Sequence, residues 1–155
     1  MPFEFNSELW NWGRKIEDEV MPIANKLFNA NFERNDNDIF DIFDFHDNTN
    51  KIVCEVKGRR IRSDEYEDTI VTASKVMSGY QKIDDGYKVY FIFVFTDKMM
   101  RYELKEDVSL KCKFTGTNCI KHYLIPVAEL VEIEDLDPVP EAGVQAEAPD
   151  QKEDY

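Results

Sequence analysis

Nowhere does the chain approach the roughly 20 consecutive apolar residues of a membrane-spanning helix. Residues 1–5 carry neither the basic segment nor the apolar segment of a secretory signal. These absences predict a soluble, cytoplasmic protein with no membrane partner. Cysteine is scarce. Cys54, Cys112 and Cys119 form no Cys-x-x-Cys pair, and an odd number gives no disulfide framework. Cys112, Cys119 and His122 lack a fourth ligand, and their spacing matches no structural zinc site. They read instead as small residues in and around late strands. No internal repeat is visible.

Positive charge is in short supply as well. The 155 residues hold 19 Lys and Arg against 32 Asp and Glu, a net charge of −13. That balance is unusual for a partner of nucleic acid, but it is unevenly distributed. Residues 129–155 hold ten acids and one lysine, which leaves 22 acids and 18 bases in residues 1–128. Net charge says little about a local surface. From residue 134 onward prolines, acids and alanines replace aromatics. Such a segment cannot bury enough apolar surface to offset its ordering entropy, so residues 134–155 are expected to be a disordered acidic tail. That tail is a candidate docking segment for a protein partner. Residues 1–133 are long enough for one domain with a sizeable core, and 11 Phe and 7 Tyr in the chain supply its bulk.

Apolar residues at Leu9, Trp12, Ile16, Val20, Ile23 and Leu27 recur at spacings of three and four. They predict a helix over residues 7–29, opened by Ser7 as cap, with a kink or break where Pro22 removes a donor. Residues 39–46 and 51–57 read as two strands joined by the turn-forming run Asp47-Asn48-Thr49-Asn50, a hairpin. A charged loop over residues 58–68 leads to a helix expected from Asp68 or Thr69 to about Lys82. Residues 88–95 are almost wholly apolar, which suits a central strand buried on both faces. Further strands fit residues 99–104, 110–114 and 121–125, and a short helix fits 127–131. The expected fold class is α/β, a central mixed β-sheet flanked by helices.

Within the second hairpin strand, Glu55 and Lys57 share one face while Ile52, Cys54 and Val56 share the other. A Glu-x-Lys pair alone is weak, and a second copy exists at Glu103-Leu104-Lys105. Context separates the copies. Asp44 lies in the partner strand between Phe43 and Phe45, and folding the hairpin about Asn48 and Thr49 brings it to Val53 and Glu55. Carboxylates held that close repel unless a cation sits between them, and Mg²⁺ suits carboxylate oxygens. The second copy has Asp97 only six residues ahead and no helix after it, as befits an exposed edge.

This set, Asp44 and then Glu55-Val56-Lys57 on a hairpin followed by a helix and a buried strand, resembles the PD-(D/E)XK nuclease superfamily. Many members also carry a glutamate on the first helix after a glycine. Gly13 followed by Ile16-Glu17-Asp18-Glu19-Val20 supplies one here, Glu17 being the best match and Glu19 its rival. These residues, with Glu55-Val56-Lys57-Gly58, are similar to phage-type junction-resolving endonucleases. The resemblance spans residues 7–95. The proline that often precedes the aspartate is replaced by Phe43, and Asp41 competes with Asp44 from the opposite strand face.

The resemblance implies a restriction-endonuclease-like core and hydrolysis of phosphodiesters, in DNA rather than RNA. It implies that Asp44, Glu55 and the Val56 carbonyl bind Mg²⁺, for which Mn²⁺ can substitute. Glu17 would assist through water or a second ion, and Lys57 would orient the attacking water. Past Lys57, the loop residues Arg59, Arg60 and Arg62 suit backbone phosphates, and Lys75 falls where related enzymes carry a polar helper. A homodimer is a further expectation. The alternatives are an inactive nuclease-fold binding or assembly protein of a virus or phage, and an acidic DNA mimic.

Overall fold

The computed structural model describes residues 7–34 and 43–133, with the backbone alone at Ser7, Leu9 and Trp10. Residues 35–42, which include the rival Asp41, and the acidic tail 134–155 lie outside the described residues. Helix α1 runs over Ser7–Phe28. Strands β1 (Glu33–Arg34), β2 (Phe45–Asp47), β3 (Ile52–Gly58) and β4 (Asp68–Thr72) follow. Then come α2 (Ala73–Asp84), β5 (Lys88–Val94), β6 (Met99–Glu103), β7 (Lys111–Thr115), β8 (Ile120–Pro126), one 3₁₀ turn (Val127–Glu129) and β9 (Val131–Glu132).

Six strands form a mixed sheet in the order β1-β2-β3-β5-β6-β9, and β4-β8-β7 form a second sheet. In the large sheet β3 and β5 are parallel, from Ile52 opposite Lys88 to Gly58 opposite Val94. Its other pairs are antiparallel. A parallel pair needs a crossover, and the loop after β3, β4 and α2 together provide it.

Strand alternation divides the core in two. Phe45, Ile52, Cys54, Val56, Tyr90 and Ile92 face α1, where they meet Ile16, Val20 and Ala24, joined by Phe32 from the segment after the helix. On the other side Val53, Val89, Phe91 and Phe93 meet Val76 of α2 and Val71 and Ile125 of the second sheet. The buried stripe of α1 keeps a spacing of four, with Trp12, Ile16, Val20, Ala24 and Phe28 packed on the sheet. It therefore departs from the expected series at its C-terminal half, where Ile23 and Leu27 stay half-buried.

Four expectations need correction. Pro22 does not break α1, which continues through it. The lost hydrogen bond is outweighed locally by the packing of Val20 and Ala24 on either side. The helix expected from residue 68 begins only at Ala73. Its first residues form β4, because the β-branched run Thr69-Ile70-Val71-Thr72 pairs with β8. The strands are split between two sheets rather than gathered in one. Finally, the helix expected over 127–131 is one 3₁₀ turn, after which β9 pairs with β6 at Met100 and Arg101.

Candidate metal centre

The site lies where β2 ends beside β3. The last antiparallel pair there is Phe45 with Cys54, so Asp44 leaves the ladder opposite Glu55. Val56 has lost its strand partner on that side. The Asp44 carboxylate replaces it, Oδ2 accepting the Val56 N–H at 2.8 Å. Because a residue's N–H and C=O lie on the same side of a strand, the Val56 carbonyl also turns toward this end. Asp44, expected within the hairpin strand, instead sits in a bend just before β2 begins, and from there its carboxylate meets the neighbour's open backbone.

Glu55 points to the α2 side, as alternation requires, with a side chain only 3% exposed. Both its oxygens have cationic partners. Lys57 Nζ lies 3.2 Å from Oε2, and Lys75 Nζ, from the first turn of α2, lies 3.0 Å from Oε1. Burial pushes the Glu55 carboxyl up to about 7, Asp44 adds to the rise, and Lys57 and Lys75 oppose it. Glu17 reaches the same end from α1. Its carboxyl is also raised to about 7, by burial first and then by the Asp44 charge, against the pull of Arg34 and Arg14. Side-chain hydrogen bonding with Asp44 adds to the rise.

Glu55 thus contacts Lys57 and Lys75, while Asp44 acts on Glu55 and on Glu17 through its charge. The loop arginines have other partners. Arg59 turns inward: it donates to Thr69 Oγ1 at 3.3 Å and to the Ile70 carbonyl at 2.6 Å, 5.8 Å from the Phe93 ring centroid. It ties the end of β3 to β4. Arg60 is exposed and lies 5.2 Å from the Trp12 ring centroid. Arg62 is exposed and pairs with Asp64 at 3.1 Å and Asp97 at 3.8 Å. The second Glu-x-Lys copy is a simple ion pair, Lys105 Nζ at 3.2 Å from Glu103, with the lysine 56% exposed.

Arg34 had no signal in the sequence. It donates to Glu17 at 2.7 Å and also pairs with Asp18, holding α1 against β1 across 17 residues of chain. Glu19 is exposed on α1. Gly58 closes the strand beneath α1, where a Cβ would lie 2.5 Å from Trp12 Cη2 and 2.8 Å from Ile16 Cδ1. Only a residue without a side chain lets α1, and Glu17 with it, approach β3 so closely.

Among the described residues no three His, Cys, Asp or Glu side chains assemble into a group able to hold a metal. What suits a hard divalent cation is smaller: the Asp44 and Glu55 carboxylates and the Val56 carbonyl, all oxygen donors. Mg²⁺ commonly takes one or two carboxylates and fills its remaining positions with water and phosphate. The chain matches no protein-family model, no curated protein and no solved structure.

Proposed function

We propose that the protein is a metal-dependent nuclease of the restriction-endonuclease-like type that hydrolyses phosphodiester bonds in DNA. The observation that carries this reading is the meeting of Asp44 and buried Glu55 at the open end of β2 and β3, with Lys57 and Lys75 against Glu55. An acid buried among charges at a strand end has no packing purpose that an apolar residue would not serve better. Perturbed carboxyls grouped with cations are a mark of sites that do chemistry.

Mg²⁺ held by Asp44, Glu55 and the Val56 carbonyl would supply positive charge at the scissile phosphate and acidify the attacking water. Lys57 would orient that water and offset charge growing on the phosphate oxygens. Lys75 balances Glu55 from the far side. Glu17 adds a carboxyl next to Asp44, and Arg34 fixes its position. Arg60, exposed beside the Trp12 ring, is the loop arginine best placed to meet a phosphate, because Arg59 and Arg62 already donate to oxygen acceptors within the protein.

Cleavage of linear, nicked and branched DNA, with and without Mg²⁺ or Mn²⁺, tests the reading directly. Mn²⁺ should also raise the melting temperature of the wild type and not of Asp44→Asn, since a ligand of the native state stabilises it by mass action. Equal shifts in both proteins would remove the site. One observation favours the inactive, binding-only alternative: both Glu55 oxygens already have ammonium partners. Absence of cleavage in either metal, with DNA binding retained, would establish it.

A further inference from the structure

The chain carries 32 acids, yet residues 108–128 contain none, and they hold Lys111, Lys113, Lys121 and His122. This acid-free stretch is the β7–β8 hairpin with its flanks. In the second sheet β7 is an edge strand, and Lys111, Lys113 and Phe114 on it are exposed. The last pair between β4 and β8 is Thr72 with His122. Beyond it Phe114 pairs with Lys121 and Thr115 with Ile120, and neither pair has β4 alongside. The sheet thus narrows from three strands to a two-stranded ribbon. Its tip, Gly116 to Cys119, is exposed.

Position and charge give this ribbon a direction. It leaves β4 at the end where the chain enters α2, and Lys75, bound to Glu55, is three residues past Thr72. Successive residues alternate faces, so Lys113, paired with His122 at the ribbon's base, lies on one face and Lys121, one pair further out, on the other. Phe114 shares the Lys121 face and is 65% exposed. Two pairs at roughly 3.3 Å per residue, with the turn added, give a projection of about 10 Å. The major groove of B-form DNA is about 8.5 Å deep, about 12 Å wide, and admits a two-stranded ribbon but not a broader sheet. Its two rims are phosphate chains, one for each face of the ribbon. The polar tip residues Thr117 and Asn118 would then reach base edges.

We propose that the β7–β8 hairpin is a DNA-binding ribbon that enters the major groove of duplex DNA, with Lys113 and Lys121 on opposite phosphate rims and Thr117 and Asn118 at the bases. Its place as a substrate contact rests on the nuclease reading; its binding of duplex does not. The groove also selects the nucleic acid, because the major groove of A-form RNA is too narrow for side chains to read.

Anisotropy with labelled DNA duplex, RNA duplex and single-stranded DNA, using the full chain without divalent metal, tests the ribbon. DNA duplex should bind best. Lys113→Glu/Lys121→Glu should weaken it at least about tenfold at low salt and flatten the salt slope by roughly 1.8. Lys111→Glu/Lys113→Glu, at two exposed positions, provides the same test should the first variant melt early. Lys88→Glu/Lys105→Glu, at the other end of the large sheet, is the control and should change little. Dimethyl sulfate should show protection of guanine N7 in the wild-type complex, lost in Thr117→Ala/Asn118→Ala. Equal losses in ribbon and control variants, equal binding of RNA duplex, or displacement of DNA by polyglutamate as readily as by DNA would overturn the proposal. Ribbon-dependent binding without any cleavage would leave the ribbon standing and remove the nuclease reading. Cleavage unaffected by the ribbon variants would do the reverse.

Discussion

At the scale of single residues, the two Glu-x-Lys copies show how surroundings decide chemistry. Both lysines lie 3.2 Å from their glutamates. Glu55 is almost fully enclosed and raised to about 7, whereas Lys105 is exposed and Glu103 partly so, and a surface pair of that kind contributes about 0–1 kcal/mol. Lys57→Ala should therefore lower cleavage roughly 100-fold or more, in keeping with the several kcal/mol that charge stabilisation supplies at a reacting phosphate. Lys105→Ala should leave the rate unchanged. Single-turnover rates with saturating Mn²⁺ compare the two, and an essential Lys105 beside a silent Lys57 would move the site to β6. Glu55 and Lys57 were legible because period-two alternation is a local rule. Arg34 was not, since its partner Glu17 is 17 positions away and nothing local marks the pair. Arg59 was expected at a phosphate and instead holds the Ile70 carbonyl, a choice made by the arrival of β4.

At the scale of elements, the β2–β3 hairpin depends on one carboxylate. Asp47 accepts from the backbone N–H groups of Asn31, Asn50 and Thr49 and from the Asn50 side-chain amide. The Asn31 bond leads in holding Asp47 below its ordinary 3.8, at about 2. A folded-state value below the unfolded one means stability that is full above about pH 4 and is lost as pH falls toward 2. Asp47→Asn should be less stable than wild type at neutral pH, and the two melting curves should converge as pH drops through that window. Parallel curves at every pH would show that the turn does not depend on the charge. The turn residues announced this hairpin in the sequence. β4 stayed hidden, because a β-branched run continuous with an amphipathic helix reads as helix until its partner β8 is known.

At the scale of the whole molecule, charge is divided between an acidic excess and two short basic runs, Lys57 to Arg62 and the β7–β8 ribbon. Residues 138–155 hold five acids and one lysine. Ending the chain at Asp137 should leave the melting temperature almost unchanged, because both cores close among the described residues and the tail's composition offers little apolar surface to bury. DNA binding should tighten, and most at low salt, as repulsion from the removed charge disappears. A large drop in melting temperature would mean that the tail packs on the domain. Among the described residues no helix is long and apolar enough to cross a membrane.

The sequence by itself determined the α/β class, the hairpin, the buried central strand and the pairing of Glu55 with Lys57 on one face. Each follows from periodicity or turn chemistry within a dozen residues. Tertiary structure alone decided three other things. It split the strands into two sheets, since β4 and β8 meet only after some 50 residues of intervening chain. It brought Asp44 and Lys75 to Glu55, and Glu17 to Asp44, from separate segments of the chain. It also left the β7–β8 ribbon projecting past β4, because strand lengths match only where partners have been chosen. Local preferences act through a few neighbouring torsions, while contacts between distant segments depend on which surfaces are buried together, and that is settled by the packed chain as a whole.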